Sequence, residues 1–99
     1  MDFSLFTEHG SKHVPLADIE KSLDELKREG HINNQQFTYL TGEARGMARH
    51  GDNTIDGDAM HRWMYKLKDD HNDFGISSDK VDSHIAPAFA SHFQPPTTH

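Results

Sequence analysis

A phrase that occurs twice between residues 30 and 67 constrains the fold of this chain more than any other feature. It consists of an isoleucine, then an asparagine or aspartate, then three residues and a large apolar side chain. The first copy runs from Ile32 to Phe37 and the second from Ile55 to Met60. Such a polar cap, flanked by two apolar residues five positions apart, is typical of a helix N-terminus with a hydrophobic staple. The repeated phrase therefore predicts two helix entrances.

Apolar residues at helical spacing extend this prediction to four helices. One clean stripe precedes the first copy and ends at Gly30, a residue that favours a helix C-terminus. A fainter third copy follows the second, with Ser77 as the cap between two apolar residues. Pro87 is expected to kink this last helix or to end it near Ala86. The predicted helices span residues 15–29, 34–49, 57–70 and 78–90.

The fold class predicted from these patterns is all-α, a small bundle of about four short helices joined by tight capped loops, with flexible termini. One helical domain is expected over residues 14–92, since 99 residues suit a single core. Residues 1–13 are expected to form a partly flexible arm that docks on this domain, with Phe3 and Leu5 alternating as in a short strand. Residues 93–99 are expected to form a tail.

Composition excludes several functional classes. The net charge is -6 with neutral histidines, and the ten basic residues are scattered among sixteen acids, so no basic stripe suggests nucleic-acid binding. The chain has no cysteine for thiol chemistry or a cysteine-based metal site. No apolar run is long enough for a signal peptide or a membrane span. A cytoplasmic protein, or one exported without a cleavable signal, is expected.

The first copy, together with the glycine before it, resembles the second half of an EF-hand loop. The resemblance implies that the two loops pair as a very short sheet through Ile32 and Ile55. Calcium requires several carboxylates and a bidentate glutamate that closes the loop. In this frame the closing positions hold Gln36, Ala59 and Lys80, and the first-ligand positions hold Glu25, Ala48 and Asp69. The sequence thus predicts helix-loop-helix geometry without calcium.

Histidine is unusually frequent, with nine residues in the chain. These histidines suggest transition-metal binding or a response to pH, because histidine changes charge near neutral pH. The best local cluster for a metal consists of His50, Asp52, Asp56, Asp58 and His61. No spaced metalloprotease motif is present, however, and solvated surface histidines with one capping aspartate are the favoured interpretation. No cofactor is expected.

Catalysis is the least favoured class. The contiguous acid, hydroxyl and imidazole of Asp82, Ser83 and His84 suggest a nucleophile with its base. Adjacent helix residues point apart, so these three side chains cannot act together. A glycine-containing stretch at residues 42–46 lies within a helix and lacks the strand that a phosphate-binding loop requires. The chain is therefore not expected to be an enzyme.

The function expected is that of a small acidic interaction module that binds and modulates another protein, as an accessory factor, inhibitor or effector does. A homodimer is also compatible with the sequence. The stripe formed by Met60, Trp63 and Met64 would supply anchors if it were exposed, although core packing is the favoured reading. Surrounding acids would steer the partner, among them the expected contact residues Asp69 and Asp70. The remaining acids of this rim are Asp52, Asp56, Asp58 and Asp73.

Overall fold

The computed structural model describes residues 3–50, 52–69 and 74–93. These ranges contain five helices and one two-stranded antiparallel sheet. The helices are α1 (Ser4–Glu8), α2 (Leu16–Arg28), α3 (Asn34–Ala48), α4 (Gly57–Asp69) and α5 (residues 78–90), and the strands are β1 (His13–Pro15) and β2 (Thr54–Asp56). The small helical bundle predicted from the sequence is confirmed, with one short helix added before it.

The first four helices form two helix-loop-helix units that face each other. The first unit is α1–β1–α2 and the second is α3–β2–α4, with α1 packed on α4 and α2 packed on α3. The two loops pair through the strands, with Val14 opposite Ile55. The expected pairing of Ile32 with Ile55 was wrong. Ile32 lies in the connection between α2 and α3, where it is buried in the core beside its helix entrance.

The helix boundaries are fixed locally by the capping residues read from the sequence. The amide of Gln36 donates to the side chain of Asn33 at 2.8 Å, and the amide of Asn33 donates to Gln36 Oε1 at 2.9 Å, which completes a capping box. At the end of α2, Gly30 adopts a φ of 82°, a conformation that glycine takes without strain.

The two later helices also begin at the predicted caps. Asp56 Oδ1 accepts from the amide of Ala59 at 2.7 Å at the start of α4. Ser77 Oγ accepts from the amide of Lys80 at 3.1 Å at the start of α5. Each cap satisfies an amide that has no partner within its own helix, which stabilises a helix by about 1 kcal/mol.

Helix α5 changes its winding in the middle. It begins as an α-helix at Ser78–Lys80, widens into a π turn at Val81–Ile85 and continues as an α-helix over Ala86–Ala90. In a regular α-helix the ring of Pro87 would crowd the carbonyl group of Ser83, and the wider turn lies at this position. The helix therefore continues past Pro87 to Ala90, which agrees with the predicted span of 78–90, and of the two expectations for Pro87 the termination near Ala86 is wrong.

One contiguous apolar core joins both units and α5. It includes Phe3 and Phe6 at the N-terminal end and Phe93 just beyond α5, all fully buried. Residues 4–8 form a helix rather than the strand-like segment that Phe3 and Leu5 suggested. No helix within the described ranges has the length and apolar character needed to cross a bilayer.

Candidate functional site

The apolar stripe predicted as a set of partner anchors lies inside the molecule. Met60 and Met64 are fully buried, and only 3% of Trp63 is exposed. The indole ring of Trp63 stacks on the ring of Phe89 from α5 at a centroid distance of 5.3 Å. Because α5 covers this face of α4, the expectation of surface anchors at these residues is corrected. They pack the core, which is the interpretation that the sequence favoured.

The structure describes some of the acidic residues that were predicted to steer a partner. Asp69 is exposed at the end of α4, and Asp52 is exposed in the loop before β2. Asp70 and Asp73 lie outside the described residues, so the structure does not bear on them.

The structure does not bring together the five residues named as a metal cluster. Asp56 caps α4, while the carboxylate of Asp58 lies against Gly10 of the first loop. His61 meets the ring of Tyr65 edge-on at 4.8 Å. In the parts of the chain that the structure describes, no group of three or more His, Asp or Glu side chains is close enough to hold a metal ion.

The observed loop pairing also changes the EF-hand frame of the first unit. With Val14 in the apolar position that Ile55 occupies in the second unit, the first-ligand position becomes Thr7 and the closing position becomes Asp18. A threonine and one short carboxylate at these two positions differ from the carboxylate-rich, glutamate-closed set that calcium prefers. The corrected loop positions therefore support calcium binding no better than the positions assigned from the sequence.

A cleft between α3 and α4 is the concave site that the described residues form beside the paired loops. Its volume is about 380 Å³. Its apolar lining consists of Met47, Ile55, Ala59 and Trp63, and its polar lining consists of His13, Glu43, His50, Thr54, Asp56, Arg62 and Lys66. The cleft combines an apolar surface with charged groups of both signs, which is typical of sites that bind a side chain or a small ligand.

Helical spacing explains why these residues share one site. Glu43, Met47 and His50 lie at positions i, i+4 and i+7 along α3 and its C-terminal turn. Ala59 and Arg62 are three residues apart on α4, and Lys66 follows four residues later. Residues at these intervals fall on one side of a helix. Two facing helix surfaces thus build the walls, and the strand pair closes one end.

Glu43 ties the two helices together at the base of the cleft. Its carboxylate accepts from Lys66 Nζ at 3.0 Å and from Trp63 Nε1 at 3.4 Å. Burial raises the pKa of Glu43, but hydrogen bonds from Tyr39, Lys66 and Trp63 and the charge of Lys66 outweigh it and hold the pKa below its ordinary value. The carboxylate is therefore ionised at neutral pH and acts as a structural tie between α3 and α4.

The polar groups at the open side of the cleft are differently engaged. His13 Nδ1 lies 3.1 Å from Thr54 Oγ1, which links β1 to β2 at the edge of the site. The carboxylate of Asp56 is occupied by its capping hydrogen bond. Arg62 is exposed and makes no ion pair with any other residue that the structure describes. Its guanidinium group is thus available to an incoming carboxylate.

Sequence reasoning missed this cleft, although a signal for it was present. The sequence prediction considered only the apolar stripe of α4, which is buried. Ala59, Arg62 and Lys66 form a second stripe next to it. Comparison of the sequence with protein-family models, with curated proteins and with solved structures gave no match. The cleft itself is therefore the main indication of function.

Proposed function

We propose that this chain is a small non-enzymatic interaction module that binds a partner protein in the cleft between α3 and α4. The observation that carries the proposal is the presence, in one concave site, of an apolar lining and of an arginine without an ion pair among the described residues. Binding hot spots combine these features, since a buried apolar anchor and a charge-assisted hydrogen bond supply much of the affinity.

A partner would place one apolar side chain between Met47 and Ala59 and one carboxylate against Arg62. A cleft of about 380 Å³ accommodates a single large side chain with part of its backbone. The guanidinium group offers paired N–H donors in a fork that matches a carboxylate, so Arg62 would also fix the orientation of the partner.

The walls of the cleft are held in place before any partner arrives. Glu43 joins α3 to α4 through Lys66 and Trp63, and Asp56 caps α4 at the edge of the site. A site that is already ordered loses less conformational entropy when it binds. This preorganisation supports a role in recognition, because little of the binding free energy is spent on arranging the walls.

The proposal is tested by capturing partners from the native host with the tagged chain and two matched variants. Ala59→Glu introduces a carboxylate into the apolar lining next to Arg62. Ala17→Glu makes the same change at an exposed position in the first turn of α2 that does not line the cleft. We expect Ala59→Glu to weaken capture by about 2 kcal/mol or more, the size of a hot-spot effect, and Ala17→Glu to retain it.

Thermal melting of both variants accompanies the capture experiment, so that loss of binding is separated from loss of folding. Both substitutions place a glutamate in the first turn of a helix, where a negative charge is favourable. A folded Ala59→Glu variant that captures the same partners as the unmodified chain would contradict the proposed binding site.

A further inference from the structure

The cleft between α3 and α4 is bounded at both of its ends. At one end His13 Nδ1 of β1 lies 3.1 Å from Thr54 Oγ1 of β2. At the other end Lys66 Nζ of α4 donates to the carboxylate of Glu43 on α3 at 3.0 Å. All four of these residues line the cleft. A ligand therefore enters from the open side, between the two helices, and does not pass along the cleft from end to end.

The cleft is also short for a continuous segment of another chain. Its lining residues extend over seven residues of each helix, from Glu43 to His50 along α3 and its C-terminal turn, and from Ala59 to Lys66 along α4. At the rise of an α-helix this is about 10 Å, the length of about three residues of extended chain. A segment that continues in both directions would have to enter and leave by the open side, whereas a chain terminus enters once and ends inside.

The acids of the cleft and the acid beside it are already engaged. Glu43 is held by its bridge to α4, and Asp56 caps α4 at the end of that helix where a negative charge is stabilised. Asp58, four residues before Arg62 on the same helix, places its carboxylate near Gly10 of the first loop. The amino terminus of a partner would therefore have to compete for a carboxylate that the fold already uses.

Arg62 provides the group that complements a carboxyl terminus. It is exposed, lines the cleft and makes no ion pair with another residue in the described ranges. It lies three residues after Ala59, so the Cβ atoms of the two residues are neighbours on one side of α4, about 5–6 Å apart. A C-terminal residue carries its carboxylate and its side chain on the same Cα atom and can reach both positions at once.

We propose that the cleft recognises the C-terminal residue of the partner protein, with the α-carboxylate on Arg62 and a large apolar side chain between Met47 and Ala59. The guanidinium fork of an arginine matches both oxygens of a carboxylate. The flexible thioether of Met47 adapts to apolar side chains of different shape, so several large apolar residues would be accepted. This inference rests on the proposed function of the cleft and specifies which part of the partner enters it.

Two short peptides of equal net charge test the inference on the full chain. The first is acetyl-glycyl-seryl-leucine with a free carboxylate. The second is acetyl-glycyl-seryl-leucyl-aspartate with an amidated C-terminus, so that its one carboxylate belongs to a side chain. Nuclear magnetic resonance of the isotope-labelled chain measures binding at millimolar peptide, and the indole N–H of Trp63, the only tryptophan, reports on the cleft. We expect the first peptide to bind about tenfold more tightly or more, the effect of one hydrogen bond between charged groups.

Two arginine variants assign this preference to its source. In Arg62→Gln the free-carboxylate peptide is expected to lose its advantage, because a glutamine side chain carries no positive charge. Arg28→Gln removes an exposed arginine that does not line the cleft, and the advantage is expected to remain. Thermal melting of both variants checks that they are folded.

Three results would overturn the inference. The first is equal affinity for the two peptides, and the second is an advantage of the free carboxylate that persists in Arg62→Gln. The third is the absence of spectral changes at Trp63 and the other cleft residues with the first peptide. Equal affinity of two peptides that both bind in the cleft would remove the C-terminal specificity but keep the cleft as a binding site. The proposed function itself fails only if a folded Ala59→Glu variant captures the same partners.

Discussion

The two helix-loop-helix units share a plan but differ in their first helices. The first unit enters through α1, a helix of five residues, and the neighbouring Phe3 and the α1 residue Phe6 are both fully buried. The second unit enters through α3, a helix of fifteen residues, in which Gly42 and Gly46 face open space. The first helix of the first unit is short and packed into the core, whereas the first helix of the second unit is long and keeps one side exposed.

The loops differ in the same way. The first loop closes tightly over the start of α4, where Gly57 lies against the backbone of Phe6 and His9. The second loop opens beside the cleft and contains Asp52 and Asn53 with positive φ values of 55° and 62°. We infer that the first helix of the first unit contributes mainly stability and that the second unit contributes most of the surface used for recognition.

The largest expected effect comes from truncation of the first unit. Phe6→Ala should lower the free energy of unfolding by about 3–5 kcal/mol, the cost of removing a fully buried aromatic ring. Met47→Ala, at a half-buried position in the cleft, should cost clearly less. Urea denaturation of both variants measures the difference. Equal losses in the free energy of unfolding would contradict the inference that the buried α1 contributes more to stability than the surface of α3 beside the cleft.

The contact between the first loop and α4 gives the next effect. A Cβ atom at position 57 would overlap the backbone carbonyl oxygens of Phe6 and His9, and neither oxygen can move as a side chain can. Gly57→Ala should therefore cost about 1–3 kcal/mol. Gly46→Ala, with nothing within 4 Å of the added carbon, should instead stabilise α3 by up to about 1 kcal/mol. Chemical denaturation that finds both substitutions neutral would contradict the tight junction.

The smallest of these effects depends on pH and concerns the tie between α3 and α4. Because the pKa of Glu43 is below its ordinary value of 4.5 in the folded protein, its ionised carboxylate stabilises the fold at neutral pH. This contribution is lost as the pH falls from the ordinary value through the folded value. Glu43→Gln should thus cost about 1–2 kcal/mol near pH 7 and almost nothing in acid well below the ordinary pKa.

A matched substitution distinguishes this tie from an ordinary surface ion pair. Glu20 of α2 contacts Arg45 of α3 at 2.8 Å, and the arginine side chain is 62% exposed. Exposed pairs contribute little because solvent screens them, so Glu20→Gln should have a smaller effect at neutral pH. Denaturation curves at neutral and acidic pH test both variants. If the effect of Glu43→Gln on stability did not change with pH, the ionised carboxylate of Glu43 would not be the source of the stabilisation.

The parts of the fold that depend on local chemistry could be predicted from the sequence. The capping pair Asn33 and Gln36, the cap Asp56 and the terminating Gly30 each act within a few residues, and each was found where expected. The wrong loop partner has a physical cause. A helix as short as α1 is below the length at which apolar periodicity can be recognised, so the unit that contains Val14 was not seen.

The candidate site could be predicted less well, because a cleft depends on how far apart two packed helices stand. The stripe of Ala59, Arg62 and Lys66 is visible in the sequence, but nothing local indicates that α5 leaves these residues open while its Phe89 packs on Trp63. Contacts between residues that are far apart in the sequence decide which stripe of a helix is buried. Those contacts become visible only in the folded structure.

Site-specific photo-crosslinking in the native host shows directly whether the second unit contacts a partner protein through the cleft. A photoreactive amino acid replaces His50, an exposed residue that lines the cleft, in one variant and Arg28, an exposed arginine at the end of α2, in another. If the second unit is the recognition surface, the variant at position 50 forms a discrete crosslinked product with one partner protein, and the variant at position 28 does not. A discrete product from position 28 alone, or the same product from both positions, would contradict this account.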